Sequence, residues 1–112
     1  MDREMAHPSY YRAEKKAYAK LDRIEVSLGH AAHVAAHLLE MLGEKPVRFV
    51  LGRVPRNWDR FNRTTRTIEF NPPCVPLLNV VHEVAHVLHW EHDENHATAV
   101  ALVAAILEDI LE

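Results

Sequence analysis

The chain has 112 residues and a formal net charge of −3, with 48% hydrophobic and 26% charged residues. That length and composition are typical of one soluble globular domain, so we expect a single domain over residues 1–112 and exclude a separate binding domain. No apolar run of the sequence reaches membrane-spanning length and the start has no apolar signal-peptide core, which predicts a cytoplasmic protein without membrane contact.

The first part of the chain predicts two helices. Ser9 can cap a helix over residues 10–28, in which apolar side chains recur every three to four positions. A second helical pattern covers residues 31–42 and ends at Gly43, a residue type common just past helix ends. Gly29 lies between the two patterns and is either a break or a kink.

The middle of the chain predicts a small sheet. Residues 47–51 and 65–70 are rich in the branched and aromatic side chains that favour strands. The arginine-rich segment 53–63 between them is a loop or an irregular edge strand. Cys74 is the single cysteine, so it cannot form an intramolecular disulfide, and we interpret it as a small buried residue rather than a ligand or a thiol switch.

The last third predicts two more helices, over about residues 77–90 and over residues 94–111, the second capped by Asp93. The second helix is apolar on nearly every face, which is typical of a helix at the centre of a core or one shared with another subunit. We therefore expect a homodimer through the C-terminal helix. Together the elements predict an α+β fold with N-terminal helices, a small antiparallel or mixed sheet and two C-terminal helices.

The strongest chemical signal is an H-E-x-x-H motif formed by His82, Glu83 and His86. On a helix, histidines four residues apart project from one face and can hold one metal ion. The flanking residues are strongly apolar, where each unexplained polar group would cost about 1–3 kcal/mol, so a chance match is disfavoured. Zinc lowers the pKa of a bound water toward ~7. The motif predicts Zn²⁺ held by His82 and His86, with Glu83 as general base.

These residues and their flanks resemble the SprT-like zinc metallopeptidases. The resemblance is carried by residues 68–72, a strand that leads into Asn-Pro, by the motif segment 76–86 and by Trp-Glu-His at 90–92. It implies a minimal zincin fold, a peptidase activity and a polypeptide substrate. It further implies that the substrate adds as a strand to the sheet edge, at the strand that contains Ile68, above the metal.

The chain also departs from that family. His96 is followed by Ala97 and then by Val100, where the family has a glycine and an aromatic residue, and the loop before it is short. One cysteine cannot form the zinc ribbon of larger relatives. The resemblance therefore does not indicate which polypeptide is cleaved.

A catalytic zinc normally has three protein ligands and one open position, so a third ligand is needed. His92 gives the ligand spacing of metzincins and of YbeY-type endoribonucleases, which break the helix with a glycine where this chain has His89. Without that glycine we expect the helix to reach about Trp90, and His96, at the start of the returning helix, is favoured over His92. His89 is expected to support a ligand or line the cleft, and it or a tyrosine to stabilise the oxyanion. The weaker competitors are Glu91 and Glu94.

Three further histidines, His30, His33 and His37, fall on one helical face that Glu40 continues. They are either a second metal site or a half-exposed flank, and the flank is favoured.

Charge is distributed unevenly along the chain. All 13 Lys and Arg residues lie before residue 67. Six arginines between Arg48 and Arg66, interleaved with Trp58 and Phe61, resemble a nucleic-acid footprint. The alternative, which we favour, is a solvated loop whose arginines pair with the acids of the C-terminal part, Glu91, Asp93, Glu94, Glu108 and Asp109.

From the sequence we expect a zinc-dependent hydrolase, a metallopeptidase in which Glu83 is the catalytic base. Two alternatives stay open. One is a non-catalytic zinc-binding module that serves a partner, and the other is a metal-dependent endoribonuclease with YbeY-like ligand spacing. An intact Glu83 favours catalysis, because a purely structural metal site does not need a base.

Overall fold

A computed structural model gives the chain an α+β fold, as the sequence predicts. It describes residues 8–52, 59–91 and 93–111, and for residues 8–11 it describes the backbone only. None of the helices in these ranges is long and apolar enough to cross a membrane. In chain order the elements are α1 (Pro8–Ala17), α2 (Ala19–Arg23), β1 (Glu25–Val26), α3 (Leu28–Met41), β2 (Arg48–Leu51), β3 (Arg60–Asn62), β4 (Thr67–Phe70), β5 (Val75–Pro76), α4 (Leu77–Leu88) and α5 (Glu94–Leu111).

The larger sheet has the order β2-β4-β3, with β4 parallel to β2 and antiparallel to β3. Ile68 and Phe70 of β4 alternate into the core and are fully buried. The expectation that the strand with Ile68 forms the sheet edge is wrong, because β2 and β3 occupy both hydrogen-bonding sides of β4. The edge strand that packs against α4 is β3, which lies within the segment predicted as a loop or edge strand.

The single helix expected over residues 10–28 is instead broken into α1, α2 and β1. The reason is tertiary: β1 pairs antiparallel with β5, and Leu77 N–H donates to the Ile24 carbonyl 2.8 Å away. This bond satisfies the first backbone donor of α4, which has no side-chain cap. Ser9 lies inside α1, after its first residue, rather than before the helix as expected.

Local signals fix the two ends of α3. The Ser27 side chain accepts a hydrogen bond from His30 N–H at 3.2 Å, which caps the helix and places Gly29 inside its first turn rather than at a break. The helix ends before Gly43, which adopts a φ of 72°, as predicted for a glycine past a helix end.

Helix α4 forms the centre of the molecule. Nine of its 12 residues are buried, and it packs against α2, α3, α5 and β3. Helix α5 follows after residues 89–93 and buries one face, including Val100, Val103 and Leu107. Its other face exposes Leu102, Ile110 and Leu111. The homodimer through this helix therefore stays a prediction.

Cys74 is half-buried, so the expectation of a buried residue is wrong. Desolvation raises the pKa of its thiol first, and the neighbouring Glu25, which hydrogen-bonds to it, and Asp59 raise it further. The thiol form is favoured at neutral pH, which argues against a reactive thiolate.

The central place of β4 predicts a large loss of stability from truncating its core side chain. Ile68→Ala should lower the free energy of unfolding by about 2–5 kcal/mol, because it leaves a cavity in the packed interior. Val50→Ala, on the edge strand β2 at a residue that is 47% exposed, is the matched control and should cost less than about 1 kcal/mol. Urea unfolding measures both variants, and equal losses would contradict the central position of β4.

Candidate metal centre

Three histidines converge in the interior. His82 and His86 extend from one face of α4, and His96 from the first turn of α5. They are 2%, 3% and 0% exposed, and one ligand atom from each lies within 4.8 Å of the others. Within the ranges 8–52, 59–91 and 93–111, this is the one such group of His, Cys, Asp or Glu side chains that could hold a metal ion.

The hydrogen bonds of the two α4 histidines determine where their ring protons lie. His82 Nδ1 is 2.9 and 3.1 Å from the two carboxylate oxygens of Glu14. His86 Nδ1 is 3.3 Å from the carbonyl oxygen of His89. An ionised carboxylate and a carbonyl can only accept, so each Nδ1 carries a proton and donates it. In the neutral imidazoles, both Nε2 atoms then present lone pairs.

Those two Nε2 atoms lie 3.1 Å apart in the buried interior. With both rings neutral, the two Nε2 lone pairs face each other at a distance at which one cation can bind both. For zinc with Zn–N bonds of 2.0–2.1 Å in a tetrahedral arrangement, neighbouring nitrogens are about 3.3 Å apart. The residues present therefore fit a metal ion of this kind.

The start of α5 places the third histidine. Asp93 accepts hydrogen bonds from Asn95 N–H at 2.9 Å and His96 N–H at 3.3 Å, which confirms the predicted cap. The His96 ring then stacks on the His86 ring, with centroids 4.1 Å apart, and meets the His82 ring at 4.6 Å. The structure thus brings the favoured candidate, His96, into the group. The competing candidate, His92, lies outside the described residues.

Helix α4 ends at Leu88, two residues before the predicted end near Trp90. His89 has extended backbone angles (φ −152°, ψ 116°), which any residue can adopt, so this end needs no glycine. Its carbonyl supports His86. Its ring Nε2 lies 2.9 Å from the Asp93 carboxylate, in a contact not aligned as a hydrogen bond. His89 therefore contacts His86 through its backbone, while its imidazole contacts Asp93.

Glu83 follows His82 in α4 and is fully buried. Of the tyrosines considered for the oxyanion, Tyr18 is half-buried and lies near Glu14. Glu14 contacts the Nδ1 edge of His82, opposite the Nε2 that joins the histidine group. The side chains of Tyr10 and Tyr11 lie outside the described residues.

Sequence reasoning missed Glu14 altogether. It belongs to α1 and is 68 residues from His82 along the chain. No motif or periodicity connects the two positions, and one acid among the polar residues of α1 carries no local signal. Only the three-dimensional packing reveals the contact.

An aromatic cluster adjoins the histidines on the side of the edge strand β3. The Trp90 ring lies 5.6 Å from the His86 ring and 6.1 Å from the Phe61 ring, between centroids. The Arg63 guanidinium carbon is 5.3 Å from the Trp90 ring centroid. Trp90 is partly exposed, so this cluster extends from His86 to the surface.

His30, His33 and His37 are exposed along α3, more so than the half-exposed flank predicted for them. In the part of the chain that the structure describes, they form no group with the geometry of a metal site.

The expected pairing of the arginines with the C-terminal acids is not found among the described residues. Arg60 instead pairs with Glu69 at 3.0 Å, because the register places the two directly opposite each other on β3 and β4. Arg66 donates to the Lys45 carbonyl at 3.0 Å. Arg53 and Arg56, like Trp58, lie outside the described residues.

Comparison of the chain with protein-family models, with curated proteins and with solved structures gives no match in any of the three.

The convergence of the three histidines predicts that His96→Ala loses metal far more than His92→Ala does. With Zn²⁺ as the probe, the dissociation constant of the His96 variant should rise more than about 100-fold, beyond the range for losing a group that only supports a ligand. Competition with a coloured zinc chelator measures both variants. Wild-type affinity in His96→Ala, with loss in His92→Ala, would transfer the role to His92.

The cap at Asp93 predicts a pH-dependent contribution to stability. Partial burial alone raises the pKa of Asp93, but the contact with His89 and the backbone hydrogen bonds from His96 and Asn95 outweigh it, so the pKa lies below its usual value. The ionised form therefore stabilises the fold. This contribution is complete above the unfolded pKa of about 3.9 and is lost as the pH falls through the lower folded value.

Asp93→Ala should accordingly lower the melting temperature of the metal-free protein at pH 7, and the difference from wild type should shrink as the pH falls below about 4. Asp109→Ala removes the same charge from the last turn of α5 and should not lower the melting temperature. Thermal melts followed by circular dichroism provide the measurement. A difference between Asp93→Ala and wild type that stays constant from pH 7 to pH 3 would contradict the ionised cap.

Proposed function

We propose that this protein is a zinc-dependent hydrolase, a metallopeptidase of the H-E-x-x-H type, with Zn²⁺ held by His82, His86 and His96. The observation that carries the proposal is that the Nε2 atoms of His82 and His86 lie 3.1 Å apart in the interior. The Nδ1 atoms of the two rings contact the Glu14 carboxylate and the His89 carbonyl instead. Three imidazole nitrogens without a thiolate suit a catalytic zinc site, because three protein ligands leave the fourth tetrahedral position open.

When bound, zinc lowers the pKa of a coordinated water toward ~7 and polarises a carbonyl group. Glu83 is the proposed general base. A carboxylate oxygen of Glu83 takes a proton from the water as the water oxygen bonds to the peptide carbonyl carbon. Glu83 then gives that proton to the amide nitrogen as the C–N bond breaks, so the carboxylate is regenerated.

An extended polypeptide is the proposed substrate. Strand β3 packs against α4, and its Phe61 contacts Trp90, which contacts His86. Within the described residues β3 pairs with β4 alone, so its other edge can accept a further strand through backbone hydrogen bonds. The position of β3 supports substrate addition at this strand rather than at the strand with Ile68.

A metal-dependent endoribonuclease is the second candidate, and one observation favours it. The guanidinium of Arg63 lies over the exposed ring of Trp90, beside His86. A cation and an aromatic ring so close to the metal site could receive a phosphate and a stacked base. A non-catalytic zinc module is the remaining alternative, and it would not depend on Glu83.

The decisive variant is Glu83→Gln. Wild-type protein purified without added metal should contain one zinc per chain by elemental analysis, and Glu83→Gln should retain it. Turnover of a reduced, unfolded protein substrate should fall by ~10²–10⁴ in the variant, the usual share of a general base. Glu40→Gln, on the exposed face of α3, controls for the loss of one carboxylate and should keep full activity.

Single-stranded RNA assayed in parallel separates the two enzymatic candidates. Cleavage of RNA alone would replace the peptidase by the nuclease. Zinc-loaded wild type that cleaves neither substrate would favour the binding module, and wild type that binds no zinc would end the proposal. Cleavage by Glu83→Gln at the wild-type rate would place the activity outside this site.

A further inference from the structure

Helix α1 turns a charged residue inward. Among its described side chains, residues 12–17, every one is exposed except Glu14, whose side chain is 9% exposed. Ala13 and Ala17 of the same helix stay in solvent. A helix that packs only for hydrophobic burial would bury the alanines and leave the glutamate in water. Moving a carboxylate out of water is costly unless it is paired. The orientation of α1 therefore calls for a partner at Glu14.

His82, whose side chain is 3% exposed, is one such partner. The Nδ1–H of His82 donates to the Glu14 carboxylate, which compensates for the burial of the charge. The same bond selects one tautomer of the ring and fixes its rotation. It leaves Nε2 without a proton and directed at His86, 3.1 Å away.

Tyr18 follows Glu14 by four residues and lies between α1 and α2. It is half-buried and packs against the core. Burial raises the pKa of its hydroxyl first, and the charges of Glu14 and Glu108 raise it further, so the phenol stays neutral. Tyr18 thus contributes packing at the junction of α1 and α2, while the polar contact with the histidine group belongs to Glu14.

We propose that Glu14 is a positioning residue of the metal site and that it couples the docking of α1 to metal binding. This inference rests on the zinc site proposed above. A carboxylate on the distal nitrogen of a ligating histidine orients the ring and increases its basicity, so Glu14 strengthens metal binding through His82. The coupling is reciprocal: metal on Nε2 must strengthen the Glu14 contact, and hence the docking of α1, by the same factor.

The tautomer of His82 tests the positioning role without any metal. In ¹⁵N NMR spectra of the metal-free protein, the His82 ring should be protonated at Nδ1 in the wild type. Glu14→Ala should shift the ring toward the Nε2–H tautomer. Glu14→Gln should retain the wild-type signature, because its amide oxygen still accepts from Nδ1–H. Glu40→Ala on α3 is the control and should change nothing. An unchanged His82 tautomer in Glu14→Ala overturns the role.

Metal binding tests the coupling. With Zn²⁺ as the probe in a chelator competition, Glu14→Ala should bind about 10–100-fold more weakly than wild type, and Glu14→Gln less than about 10-fold more weakly. Hydrogen exchange at the α1 amides should slow when zinc is added to the wild type and should not respond in Glu14→Ala. Far-UV circular dichroism checks that each variant folds. If Glu14→Ala does not fold, the test passes to Glu14→Gln, which must show a measurable loss of affinity for zinc.

Two failures can be told apart. A wild type that binds no zinc overturns the proposed function and the coupling together. A Glu14→Ala variant that binds zinc as tightly as the wild type, or α1 amides that are indifferent to zinc in the wild type, overturns the coupling alone.

Discussion

Two imidazole rings in the middle of an apolar core turn their Nε2 atoms toward each other, 3.1 Å apart, and the surrounding structure accounts for this arrangement. The rings cannot simply rotate away, because Glu14 and the His89 carbonyl hold the opposite edge of each ring. The buried helix α4 fixes their spacing, and α5 closes the space beside them with His96. Each of these contacts limits where a positive charge can lie, and together they define one place for it.

Local sequence signals predicted much of this arrangement. The motif fixed the two α4 ligand candidates, since a four-residue spacing on a helix has only one geometry. Asp93 and Gly43 act only on their own neighbours, so their roles at the helix ends could be predicted from residue type. His96 does lie beside His82 and His86, as expected of it. The helix end expected near Trp90 was wrong, because an extended His89 ends α4 without a glycine.

The features that sequence reasoning missed depend on contacts between distant parts of the chain. The helix expected over residues 10–28 gives way to β1 because β5, about fifty residues further on, supplies hydrogen bonds that periodicity cannot foresee. Strand β4 lies in the centre because two other strands reach it, which its own alternation does not reveal. Glu14 is the extreme case: its place at the histidine group comes from its contact with His82, and the residues around it in α1 are those of an ordinary solvated helix.

The helical hairpin of residues 77–111 contains all three histidines, and His82 and His96 are 14 residues apart in the chain. Glu14 and His82 are 68 residues apart, which raises the loop-closure cost by about 1.4 kcal/mol over that of the hairpin contact. The histidine group therefore joins residues that are close in the chain, whereas the contact made by α1 spans more than half of it and closes a longer loop. During synthesis, α1 leaves the ribosome first, yet its docking partner does not exist until the hairpin has been made.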